Sequence, residues 1–153
     1  MERIYKVIGI SVWFFSVISP AWGNDDLKGG RDHPLLPRMQ HFIISSYEDK
    51  NPFPHDFQRE RMVMTTVEGR GYKITYCLTQ GITDPSALEV SLHYQNIIKA
   101  MGGSVLFVNS HSGHTYLNLV KDDKELWVDV FHNRIGARCR EYTLTIVEKG
   151  EIH

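Results

Sequence analysis

The sequence predicts an α+β fold: a largely antiparallel sheet of about six to seven strands with one main helix packed on one face, in the order β-ββ-α-β-ββ-β. Three observations predict it. Residues 86–101 form one long run in which Ala87, Val90, Tyr94, Ile97, Ile98 and Met101 recur at helical spacing, with Glu89, His93, Gln95, Asn96 and Lys99 on other faces. Short runs with strand periodicity lie on both sides of it, and an apolar helical stripe needs a sheet to bury it. The shortest interruption among these runs, Asp122-Asp123, reads as a hairpin turn, which makes the pairing antiparallel.

Residues 1–23 read as a secretory signal rather than as part of the fold. Arg3 and Lys6 precede the apolar run 7–18, Pro20 breaks any helix, and Ala21 and Gly23 are small residues of the kind that signal peptidase reads. The apolar run is about a dozen residues, short of the roughly 20 that a membrane-spanning helix needs, so no transmembrane anchor is expected after cleavage. Residues 24–31 are polar and glycine-bearing and are expected to form a mobile leader. Residues 32–149 are expected to form a single α+β domain, with 150–153 as a tail.

Within the domain, residues 32–39 mix apolar residues with Pro34 and Pro37, which suits an extended strap and excludes a helix. Residues 42–47 read as the first strand. Residues 48–57, with Pro52 and Pro54, read as a loop in which Phe53 and Phe57 anchor onto the core. Residues 61–67 and 72–78 are strand-like and separated by Glu68-Gly69-Arg70-Gly71, whose glycines suit a tight hairpin turn. The helix starts either at Asp84 with Pro85 in its first turn or at Ser86 with Glu89 as a capping box, and Gly102-Gly103 ends it.

Beyond the helix, residues 105–109, 115–121, 124–131 and 142–147 read as strands. Alternation places Leu117 and Leu119 with Leu126, Val128 and Val130 on one side, and Tyr116, Asn118, Trp127 and Asp129 on the other.

Cys77 and Cys139 are the two cysteines of the chain. Each has the strand parity opposite to its apolar neighbours, so both point away from the helix, as a cross-strand disulfide in an oxidising compartment requires. The alternative is two unpaired thiols on non-adjacent strands, since sequence does not reveal strand order.

Charge excludes some functions. With 17 basic and 18 acidic residues the net charge is −1, no basic cluster has the density that phosphate contacts demand, and no nucleic acid partner is expected. No catalytic motif is present. Cys77 lies mid-strand with no helix N-terminus to activate it, Asp32-His33 precedes Pro34 and Pro37 in a strap whose histidine can bind the backbone, and Asp122 and Asp123 are turn formers. No phosphate loop, nucleophile elbow or cofactor motif appears.

Two candidate sites remain. Tyr116, Asn118 and Trp127 form an aromatic face that suits a sugar ring or a protein partner, unless the sheet is covered on both sides and they are interior. His111 and His114 stand three apart in a glycine-bearing turn, a spacing that chelates zinc or copper if His55 or His132 arrives as a third ligand, and the alternative function they suggest is a small periplasmic metal-binding or hydrolytic protein.

Several runs together are similar to one bacterial envelope family. They are Asp32-His33-Pro34-Leu35 with Arg38-Met39, Val67-Glu68-Gly69, Tyr72-Lys73-Ile74, Tyr94, residues 102–106, residues 125–130 and residues 142–149. In that order they resemble the N-terminal periplasmic module that precedes a peptidoglycan-binding OmpA-like domain, which this chain is expected to lack because it ends at His153. The absence of a catalytic motif and the aromatic sheet face suit a non-enzymatic module that binds an envelope protein or glycan through that face; the resemblance itself implies an envelope location, periplasmic and either associated with the outer membrane or secreted. It implies no catalytic residue and no cofactor. Cys77 and Cys139 depart from the family pattern.

Overall fold

The computed structural model describes residues 25–133 and 139–150. The expected signal segment, Asn24, residues 134–138 and the last three residues lie outside the described residues. The described residues build one six-stranded antiparallel sheet with a single α-helix, in the order β1 (Phe42–Glu60), β2 (Val63–Leu78), α1 (Ala87–Ala100), β3 (Ser104–Asn109), β4 (His114–Lys121), β5 (Lys124–Asn133) and β6 (Glu141–Lys149). Across the sheet the strands run β1-β2-β6-β5-β4-β3. The last strand is therefore inserted between β2 and β5 and joins the two halves. Among the described residues no helix is long and apolar enough to cross a membrane.

The helix begins as a capping box. Ser86 accepts from the Glu89 backbone N–H at 3.1 Å, and the Glu89 carboxylate accepts from the Ser86 backbone N–H at 2.6 Å. Val90, Tyr94 and Ile98 bury one stripe against Leu117, Leu119, Leu126, Val128, Leu144 and Ile146, and this is the main core. Asp122 and Asp123 both hold positive φ (51° and 59°), the geometry of a two-residue hairpin turn between β4 and β5, as expected.

The first hairpin differs from expectation in place and in length. Residues 48–57 continue the first strand, and β2 runs unbroken through Glu68-Gly69-Arg70-Gly71; the turn is at Arg61-Met62. The glycines serve close packing here. A Cβ on Gly71 would overlap the Phe53 ring, and one on Gly69 would overlap the carbonyl of Glu148 on β6. Pro52 and Pro54 are tolerated because β1 is an edge strand, beside a shift of register between Lys50 and Phe53.

The outer half of this hairpin is an arm that folds across the sheet face away from the helix. Phe57 packs there with Val67, Tyr116, Trp127 and Val147 in a second core cluster, to which Phe53, Leu106 and Phe107 add. Gln58 meets Asn109 at the end of β3 (3.2 Å). The sheet is thus covered on both faces, by α1 on one and by its own arm on the other.

The strap closes the helix side. Asp32 accepts from Arg38 and from the Tyr76 hydroxyl (2.7 Å), while Arg38 also reaches Asp26, whose carboxylate accepts from the Ile44 backbone N–H. Pro37 can only accept, so the Tyr94 hydroxyl donates to its carbonyl and Tyr142 donates to Tyr94 at 2.8 Å, while Tyr142 accepts from the Met39 N–H. These buried hydroxyls are satisfied by the strap, which is why an irregular segment holds a fixed path.

Candidate functional site

Tyr116 and Asn118 on β4 register with Asp129 and Trp127 on β5, so alternation places all four on the face away from the helix. That face is not open. The arm leaves Tyr116 6% and Trp127 7% exposed, so they belong to the interior of a sheet covered on both sides, while Asn118 is half-buried and donates to Glu125 and to the Leu126 carbonyl. The Trp127 Nε1–H meets no acceptor among the described residues, and Arg59 of the arm lies over its ring at 6.0 Å. The indole acts as an apolar wall.

The most concentrated polar arrangement lies at the edge of this cluster. Asp129 is buried, and its two oxygens meet histidines from two directions: His55 Nε2 of the arm at 3.0 Å and His114 Nδ1 of β4 at 2.8 Å. Burial pushes the Asp129 carboxyl up, but the hydrogen bonds from His114 and His55 outweigh it and hold the group below its ordinary value. An ionised carboxylate only accepts, so each histidine donates its proton to it. His114 also stacks on Phe131 (4.4 Å between ring centres) and on Tyr116 (5.6 Å), and His55 sits edge-on to Phe57 at 4.8 Å.

This His55–Asp129–His114 group fastens the arm to the sheet. His55 and Asp129 are 74 residues apart, and no local pattern marks the pair. The signal that existed was the alternation that put Asp129 on the aromatic face. His111 does not join it: it is exposed in the β3–β4 turn, and His132, on the parity of Val130, belongs to the helix face. The alternative of a chelate formed by His111, His114 and a third histidine is therefore not assembled, and among the described residues no group of three metal-ligating side chains is placed to hold a metal ion.

His33 of the strap is likewise structural. Its Nδ1 accepts from the Leu35 backbone N–H, so Nε2 carries the proton and donates to Glu148 at 2.8 Å. Cys77 is no nucleophile, being bonded to Cys139. It shares the parity of Thr75, whose hydroxyl meets Thr143 across the β2–β6 pair, so the bond lies on the face away from α1 as expected. An apolar groove of about 400 Å³, which no sequence motif announced, opens between the strap and the start of α1; Met39, Phe42, Leu78, Ile82, Pro85 and His93 line it.

Comparison with known proteins finds no family model that matches the chain and no curated protein that matches it.

Proposed function

We propose that this protein is an exported, non-catalytic module of the bacterial cell envelope that binds an envelope protein or glycan. The observation that carries the reading is that its conspicuous polar residues hold the fold together. Asp32, His33, Arg38, Tyr94, Tyr142 and Glu148, all within the runs that resemble the envelope family, are joined in the hydrogen bonds of the strap. His55, His114 and Asp129 fasten the arm. Such side chains make a rigid scaffold for a surface. The Cys77–Cys139 bond and the signal-like start support export to the periplasm.

With the aromatic face covered, a partner meets the outer side of the arm first. The arm presents Met62, 90% exposed at its tip, next to exposed Val63 and Met64 and the charge of Arg61. A pull-down from intact bacterial envelopes, with the oxidised chain as bait, tests the reading. A partner should be retained and lost on Met62→Asp/Met64→Asp. Recovery of the chain in the cytosol with Met1 to Ala21 still attached would refute export.

A further inference from the structure

The sheet has two edges of different chemistry. β1 is guarded, with Pro52 and Pro54, three register shifts and the charged run Glu48-Asp49-Lys50, all of which discourage another strand from pairing. The opposite edge, β3, reads Ser-Val-Leu-Phe-Val-Asn, without a charge or a proline, and has one register shift, between Val105 and Phe107, with Gln58 of the arm meeting its last residue, Asn109. An edge so lightly guarded offers a row of backbone donors and acceptors to any strand that fits it.

An apolar surface runs beside that edge on the helix side. Val108, 43% exposed, registers with Thr115, whose hydroxyl meets Ser91 of α1 at 2.6 Å. Leu88 and Leu92 flank Ser91 on the helix and are 63% and 43% exposed. The other flank, at His93, faces the strap and the groove beside Phe42 and Leu78. Leu88 and Leu92 therefore lie on the β3 side, and with Val108 they border the free edge. The same helix carries Glu89 in its first turn and Lys99 in its last, so two such helices laid antiparallel place opposite charges together at both ends.

We propose that β3 and the Leu88–Leu92 flank of α1 form a two-fold interface with a second copy of this chain. β3 pairs antiparallel with the partner's β3 and extends the sheet from six strands to twelve. The two-fold axis gathers Leu88, Leu92 and Val108 of both copies over the junction and sets Glu89 opposite the partner's Lys99. A second copy fits better than a foreign strand because both the edge and the charge pattern complement themselves under antiparallel pairing.

Sedimentation equilibrium of the purified, oxidised chain tests this. A monomer–dimer equilibrium with Kd at or below roughly 10 µM is expected. Leu92→Lys combined with Val108→Lys should weaken it at least about tenfold with an unchanged far-ultraviolet spectrum, because both side chains are already exposed. Should that pair fail to fold, Leu88→Lys on the helix carries the same expectation. Met62→Lys, on the arm tip, should leave the equilibrium untouched. A monomer at roughly 100 µM, a dimer indifferent to Leu88, Leu92 and Val108, or a dimer abolished by Met62→Lys would each overturn the proposal.

Discussion

Asp129 is a buried carboxylate that keeps its charge because two histidines reach it from different strands. Its carboxyl sits below its ordinary value of 3.8, the value expected in the unfolded chain. The folded state therefore holds the proton less tightly than the unfolded state does, and the contribution to stability is complete above that value and disappears as pH falls below it. Asp129→Ala removes this contribution and leaves two donors facing an apolar cluster, at a cost of roughly 2–4 kcal/mol near neutrality. Urea titrations across acid pH should show the native protein losing stability below about pH 4 more steeply than the variant; parallel curves would mean that the carboxylate does not hold the arm. His55→Ala tests the arm side of the same contact and should cost roughly 1–3 kcal/mol. Sequence alone reached Asp129 as a member of the aromatic face, but not its partners, because a pairing across 74 residues leaves no local trace. His33 was legible as a backbone-binding strap residue because the prolines beside it confine the chain; its Glu148 contact, from the far end of the chain, was not.

At the scale of elements, the helix, the four later strands and the Asp122-Asp123 turn were legible because each is fixed by local chemistry: a capping box, strict alternation, two aspartates at positive φ. The first hairpin was not, and the reason is physical. Glycines signal either positive φ or a missing Cβ, and Gly69 and Gly71 serve the second purpose at the place where the arm leaves the sheet. The two glycines predict different mutational behaviour. Gly71→Ala meets the Phe53 side chain, and Phe53→Ala in the same chain should restore part of the stability that Gly71→Ala loses. Gly69→Ala meets the main chain of Glu148, and no side-chain deletion at Phe53 should relieve it. Each single glycine substitution is expected to cost at least about 2 kcal/mol, and the Gly71/Phe53 cycle should show a coupling of roughly 1 kcal/mol or more. Chemical denaturation of the single and double variants measures both, and additivity at Gly71 and Phe53 would show that the arm does not cross there as described.

At the scale of the whole molecule, stability depends on joining β1-β2 to the β3-β4-β5 half, and β6 is the element that does so. Parity in the sequence placed Cys77 and Cys139 on one face, but strand order had to come from the structure, because pairing the last strand with the second is a contact between distant parts of the chain. The disulfide crosses at this junction. Cys77 is on β2 opposite Glu141, and Cys139 lies two residues before β6, so the bond pins the seam at the start of β6. It closes a separation of 62 residues that contains α1, β3, β4 and β5, and in the chain-entropy account such a loop stabilises the folded state by about 4 kcal/mol. Against a total of roughly 5–15 kcal/mol for an ordinary domain, that is a large fraction. Reduction, or Cys77→Ser with Cys139→Ser, should therefore move the guanidinium midpoint down well beyond experimental error. The far-ultraviolet spectrum below the transition should stay that of the same sheet and helix, since backbone pairing of β2 with β6 over Arg70 to Cys77 does not need the bond. Thiol titration of the denatured, unreduced protein gives the direct answer: the pair should consume no reagent, and two reactive thiols per chain would show that β2 and the start of β6 are not joined.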